Sequence, residues 1–205
     1  RSSAASDVYK RQAINVYDCM EGFRMKLMFA SDIHGSLFYA EKVAEAYKNE
    51  KAEKLILLGD LLYHGPRNDL PKDYNPKGVI ALLNSMKQEI LAVRGNCEAE
   101  VDQMVLEFPV MAEYMIMYLE NRMVFVTHGH KFNTSNPPML KDNDILIHGH
   151  THVQAMEKVD NYYYINPGST SIPKNGNKNS YMTYEDGVFE IKDFDGNVIS
   201  KLDIK

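Results

Sequence analysis

Short apolar runs that stop abruptly in a polar, glycine-bearing turn recur along this chain, and they restrict its fold more than any other feature. Lys26 to Ala30 leads into Ser31-Asp32-Ile33-His34-Gly35, and Leu55 to Leu58 into Gly59-Asp60. Ile90 to Val93 leads into Arg94-Gly95-Asn96-Cys97, and Val124 to Val126 into Thr127-His128-Gly129-His130. Ile145 to Ile147 leads into His148-Gly149-His150-Thr151-His152, and Tyr162 to Ile165 into Asn166-Pro167-Gly168-Ser169. Short runs with no polar face read as strands covered on both sides.

The covering layers are also visible. Leu37 to Asn49 carries Leu37, Ala40, Val43, Ala44 and Tyr47 on one helical stripe. Lys77 to Lys87 does the same with Val79, Ile80, Leu82, Leu83 and Met86. Strands and helices alternate early, which indicates an α/β (α+β) chain. From Val124 on strands dominate. Tyr181 to Lys205 reads as β-hairpins with Asp186-Gly187 and Asp195-Gly196 as turns. Two sheets packed as a sandwich, with helices outside, are expected. The longest loop, Leu62 to Pro76, has the length of a functional loop.

The 205 residues suit one domain. Its start is read at Met25, because Ser2 to Gln12, SSAASDVYKRQ, resembles a translated library adapter. Residues 1–24 are therefore expected to be a non-native or disordered extension, and 25–205 the domain. The net charge of −5 argues against a nucleic-acid partner, which calls for cationic faces. No apolar run is long enough to span a bilayer, so no membrane partner is expected. Cys19 and Cys97 are the only cysteines, which suits a reducing cytoplasm.

All seven histidines lie just after an apolar run or in the long loop. Strand ends are where ligand sites gather in open α/β sheets. Asp32 and His34 are two apart, so on an extended backbone both project to one side and Ile33 to the other. His150 and His152 repeat the spacing. Asp60, Asn96 and His128 each follow a separate run. Two carboxylates, one amide and four imidazoles suit borderline metals such as Mn, Fe, Zn or Ni. Seven donors exceed the needs of one ion and match two ions that share a carboxylate.

In order, Asp32-Ile33-His34, Gly59-Asp60, Gly95-Asn96, His128 and Gly149-His150-Thr151-His152 resemble the signature of the calcineurin-like metallophosphoesterases. The stretches MKLMFASDIHGSL, HGPRN, AVRGNC, EVDQM, THGH, GHTH and the segment from Asn166 to Lys174 are similar to its YfcE-type bacterial phosphodiesterase subgroup. The resemblance implies a four-layer metallophosphoesterase β-sandwich flanked by helices. It implies that Asp32, His34 and His152 hold one metal, that Asn96, His128 and His150 hold the second, and that Asp60 bridges them. Manganese is the first choice of ion. A hydroxide shared by the pair would attack a phosphodiester in line. Many members of the family have a histidine, a proton donor to the leaving group, where this chain has Cys97. A thiol is a poorer acid near neutral pH, and beside two dications it can lose its proton altogether.

Other residues have two readings. Asn96, Cys97 and His130 are candidates for catalytic contact, and His130 reads equally as structural. His64 and Arg67 are candidates for binding substrate phosphate, or for packing the long loop. His148 reads as a packed strand residue, and Asn166 and Ser169 as shaping the rim of the site. Met111 to Tyr118 reads as core or subunit contact, and self-association into a homo-oligomer is expected. The competing functions are phosphomonoesterase, nuclease, and a non-catalytic scaffold such as the retromer subunit of this fold.

Overall fold

The computed structural model describes residues 25–205, so the extension expected at 1–24 lies outside the described residues. Eleven strands and three helices follow in order: β1 (Leu27–Ala30), α1 (Leu37–Glu50), β2 (Lys54–Leu57), α2 (Pro76–Ser85), β3 (Ile90–Ala92), α3 (Glu100–Val105), β4 (Tyr114–Leu119), β5 (Arg122–Thr127), β6 (Ile145–Ile147), β7 (Ala155–Val159), β8 (Tyr162–Asn166), β9 (Ser180–Glu185), β10 (Val188–Asp193) and β11 (Val198–Asp203).

They form a six-stranded sheet, β11-β10-β9-β1-β2-β3, and a five-stranded sheet, β4-β5-β6-β8-β7. Each sheet contains three neighbouring parallel strands: β1, β2 and β3 in one, β5, β6 and β8 in the other. The motif-bearing turns follow the carboxyl ends of these six strands, which explains how segments so distant in sequence meet.

Strand β1 shows why the runs lack alternation. Met28 and Ala30 enter a core shared with Val43 of α1 and with Val79 and Leu83 of α2. Leu27 and Phe29 enter the core between the sheets, with Val126, Ile147 and Phe189. Full burial of Phe29 and Phe189 stabilises the fold by roughly 1.5–3 kcal/mol each. The outer side of the second sheet packs Phe125, Leu146, Tyr162 and Tyr164 against Phe132 and Leu140 of the 128–144 loop.

Both larger helices carry side-chain caps. Ser36 Oγ accepts from the Tyr39 N–H at 3.3 Å, and Asn75 Oδ1 accepts from the Gly78 N–H at 3.1 Å. Ser36 also donates to the Lys72 carbonyl, pinning the 62–75 loop to the start of α1.

Two elements escape the sequence reading. The six-residue α3 is too short for a periodic stripe and has no buried residue. Tyr114–Leu119 is an edge strand with one covered face, and its burial alternates along the strand. Met115 and Met117 pack against the inter-sheet core, while Tyr114, Ile116 and Tyr118 are exposed.

Candidate metal centre

Asp32 lies just beyond β1 and is fully buried. Ser31 Oγ donates to its Oδ2 at 2.6 Å, and the His150 N–H to the same oxygen at 3.0 Å. Its carbonyl accepts from the hydroxyls of Ser169 and Ser171, both at 2.9 Å. Asp32 Oδ1 is buried and accepts no hydrogen bond. It lies 3.2 Å from His152 Nε2 and 3.6 Å from His34 Nε2.

The imidazoles are aimed from behind. His34 Nδ1 meets the Tyr63 carbonyl at 2.8 Å, His128 Nδ1 the Leu58 carbonyl at 2.7 Å, and His152 Nδ1 the Ile172 carbonyl at 2.9 Å. A carbonyl can only accept, so each Nδ1 carries a proton, and each ring in its neutral form presents a lone pair at Nε2. The His34 and His152 Nε2 atoms nevertheless face each other at 3.1 Å. His128 Nε2 stands 3.1 Å from His150 Nδ1 and 3.1 Å from Asn96 Oδ1. Facing lone pairs and an orphaned buried carboxylate oxygen repel one another unless a cation or protons sit among them. The donor set therefore fits divalent metal.

Three groups of potential ligands are close-set among the described residues, Asp32-His34-His152, Asp60-His128-His150 and, between them, His34-Asp60-Cys97. Asp60 joins the first two, with Oδ2 3.8 Å from His34 Nε2 and 3.5 Å from His128 Nε2. The structure brings the side chains of Asp32, His34, Asp60, Asn96, His128, His150 and His152 near one another.

The backbone achieves it differently from the alternation expected of an extended chain. Asp32, His34, Asp60, His150 and His152 all have φ between 51° and 65°. Five of the seven thus occupy the left-handed region, where Asp, Asn and His are over-represented among residues with a Cβ. Such positions cost on the order of 1–3 kcal/mol each and persist where the surroundings over-determine them. Ile33 does enter the core, as expected.

Close approach needs the glycines. A Cβ on Gly95 would overlap Asp60 Oδ1, and one on Gly149 would overlap Ser31 Oγ.

The electrostatics reflect a deficit of positive charge. Burial raises the Asp32 carboxyl, but His152, His34 and His128 together hold it well below the ordinary value. Burial opposes charge on His128, yet contact with Asp60 and the Asp32 charge carry its pKa up to about 9. Burial and the Asp60 carboxylate push the Cys97 thiol well up, so the protein's own field favours the thiol over the thiolate.

The remaining candidates separate. Arg67, Asn96 and Cys97 line the cleft that opens onto the cluster. The His64 ring does not, being packed edge-on against Tyr63 and Tyr74 as loop support. His130 lies beside the cluster, 5.5 Å from the His128 ring, and burial with the His128 charge lowers it to about 4. His148 is buried against Tyr164 as a packed residue, and burial lowers it to about 4. Asn166 and Ser169 are fully buried behind the site rather than on its rim. Asn166 Nδ2 donates to the Gly149 carbonyl and to Thr151 Oγ1, tying down the 148–152 turn.

Glu98 is the residue that sequence reasoning missed. It is buried, and it accepts from the backbone N–H groups of Asp60, Leu61 and Gly95 at 2.9, 2.7 and 2.5 Å. It thereby clamps the β2 turn to the β3 turn. Burial and the Asp60 charge push its carboxyl up.

Residues 25–186 match the family model of the calcineurin-like phosphoesterase superfamily domain. Phosphodiesterase YfcE of Escherichia coli (strain K12) is 48% identical over 167 residues, 82% of this chain and 91% of that protein. The solved structure of YfcE, a phosphoesterase from E. coli, superposes with a TM-score of 0.86 at 46% identity, covering 88% of this chain and all of that one. Vacuolar Protein Sorting 29 from Cryptosporidium parvum shares the fold alone, with a TM-score of 0.57 at 15% identity over 88% of this chain and 99% of that one.

Proposed function

Since the chain belongs to the calcineurin-like phosphoesterase superfamily, we propose that it hydrolyses phosphodiesters with the help of two divalent metal ions. Asp32, His34 and His152 would hold one ion and Asn96, His128 and His150 the other, with Asp60 within reach of both sets. The observation that carries this reading is the position of Asp60 Oδ2 between His34 Nε2 and His128 Nε2, at 3.8 and 3.5 Å.

Bound dications supply the charge that activates water and stabilises the phosphoryl oxygens. The protein's own work is positioning. Backbone carbonyls fix the tautomers of His34, His128 and His152. Ser31 and the His150 N–H hold one oxygen of Asp32 and leave the other free to ligate. In the reaction, the oxygen of water joins phosphorus, the bond to the leaving alcohol breaks, and that alcohol takes a proton. Cys97 is a poorer donor for this last step than an imidazolium, so good leaving groups are favoured. The diester preference is supported by the name of the 48% identical relative.

Manganese is the first choice of ion, because mixed oxygen and imidazole donors suit it; Fe, Ni and Zn fit the same donors. The cytoplasm is the proposed compartment. Among the described residues no helix is long and apolar enough to cross a membrane.

The test is hydrolysis of an aryl phosphodiester and the matching monoester after stripping metals and adding each back. Manganese-restored cleavage of the diester over the monoester is expected. A monoester preference would reassign the substrate, and activity unaffected by chelation would end the metal reading.

A further inference from the structure

The cleft leading to the cluster has a volume of about 410 Å³. Apart from the proposed ligands and Cys97, its wall consists of Gly65, Pro66, Asn68 and Thr151, with two cations, Arg67 and Lys174. The cations come from different loops, one between β2 and α2, the other between β8 and β9. Both are exposed. Neither pairs with an acidic group among the described residues, in a chain whose net charge is −5. Lys174 is nonetheless fixed at its backbone, where its N–H donates to the His152 carbonyl at 3.0 Å.

The scissile phosphate does not need these two side chains if it is met by dications. Their charge is left for a second anion on the same substrate. The wall also lacks features that larger alcohols need. Imidazole is the only aromatic ring lining it, so no phenyl or phenol face offers a stacking platform for a nucleobase. No leucine, isoleucine, valine or phenylalanine lines it either, so it has no trough for an acyl chain. An arginine fork matches phosphate oxygens in bidentate fashion, and a lysine adds a mobile point charge.

We propose that the substrate is a compact, polar phosphodiester carrying a second phosphate group, which Arg67 and Lys174 bind at the mouth of the cleft. This rests on the phosphodiesterase reading above and narrows it.

Two diesters that release the same leaving group provide the test: hydroxypropyl para-nitrophenyl phosphate and its phosphonooxypropyl counterpart. With manganese-loaded protein, kcat/KM is expected to be roughly tenfold or more higher for the phosphorylated diester, as charged hydrogen bonds allow. In the double variant Arg67→Gln, Lys174→Gln the ratio falls toward one. Equal rates on the two diesters, or a preference that survives the double substitution, overturn the second-anion site. Equal preference for a carboxypropyl analogue overturns its assignment to phosphate. Faster cleavage of the para-nitrophenyl ester of thymidine monophosphate overturns the compact-substrate claim. Cleavage of none of these diesters means that the phosphodiesterase reading itself has failed, and this inference falls with it.

Discussion

Cys97 holds both carboxylate oxygens of Asp60: its backbone N–H donates to Oδ1 at 2.8 Å, and its thiol to Oδ2 at 3.3 Å. The residue in the place of the family's histidine is thus an orienting partner of the shared carboxylate. Its thiol is pushed well up by burial and by Asp60. A thiol is a poorer acid than an imidazolium near neutral pH, so cleavage should depend steeply on the leaving group. Cys97→His is expected to raise kcat for alkyl diesters by roughly tenfold or more, within the usual range of general-acid assistance, and to change aryl diesters much less. A series of diesters graded by leaving-group pKa measures this as a shallower slope. An unchanged slope would show that Cys97 has no part in protonation.

Metal binding is expected to release protons. His128 has a pKa of about 9, so near neutral pH its Nε2 carries a proton that a metal must displace. The sign follows directly: apparent metal affinity rises with pH until about 9 and levels off above it. Calorimetric titration with manganese in buffers of different ionisation enthalpy gives the number of protons released. Asp60→Asn is expected to reduce the stoichiometry from two ions toward one and to lower kcat/KM by more than about 100-fold, beyond what indirect supporting residues cost. Two ions bound with full affinity in that variant would remove Asp60 from the bridge.

The positions of the seven proposed ligands were legible because each follows a strand whose apolar run is unmistakable. Asp32, Asp60 and Asn96 follow β1, β2 and β3, and His128 and His150 follow β5 and β6. The parallel order of β1, β2 and β3 could be expected from alternating strands and helices, but that of β5, β6 and β8 could not, since no helix lies between them. Nor could the local backbone be read. The spacing of Asp32 and His34 suggested extended alternation, but both residues are left-handed, with φ of 57° and 51°. Spacing alone does not distinguish the two, since either can direct alternate side chains to one place. The neighbouring Gly35 and Gly149 were the available hint of a turn.

Supporting residues were harder to see for a different reason. Glu98 sits in Cys97-Glu98-Ala99-Glu100, where an acidic residue normally reads as solvent-facing. Its partners Asp60 and Leu61 lie 38 and 37 positions away. Backbone amides are the same for every residue type, so no sequence pattern betrays them as partners. The exposed side of β4 raises the same difficulty, since apolar residues mark burial without saying which face is covered.

The last hairpin provides a stability prediction away from the cleft. Asp193 Oδ1 accepts from the backbone N–H groups of Asp195 and Asn197 at 3.1 and 2.9 Å, and Oδ2 accepts from Lys178 at 2.7 Å. Lys178 is the main cause of its lowered pKa, about 2, with Asn197 assisting. The folded value lies below the unfolded one, so the stabilisation is complete above about pH 4 and is lost as pH falls toward 2. Asp193→Asn is expected to cost about 1–3 kcal/mol near neutral pH. Urea unfolding of both proteins at about pH 6 and about pH 2 should show the gap between them closing in acid. A gap independent of pH would mean that charge is not what the turn uses.

Glu98 decides how rigidly the two metal groups are joined. Its Oε2 accepts from Asp60 and Gly95, and its Oε1 from Leu61. In Glu98→Gln the amide nitrogen replaces one of those oxygens and faces an N–H, so at least one backbone donor is stranded in the interior. That is expected to lower stability by about 1–3 kcal/mol. Because the Asp60 amide is one of the three, the change also loosens the turn that presents the shared carboxylate. Manganese affinity is expected to fall by roughly 10–100-fold, as it does when a residue that orients a ligand is altered. Much of the activity should return at high manganese, since every ligand is still present. Thermal melts with and without metal, together with activity against manganese concentration, separate the two effects. A lowered melting temperature with unchanged metal affinity would make Glu98 a fold residue only, and the contacts of Asp60 with Cys97 and the His34 N–H would suffice to place it.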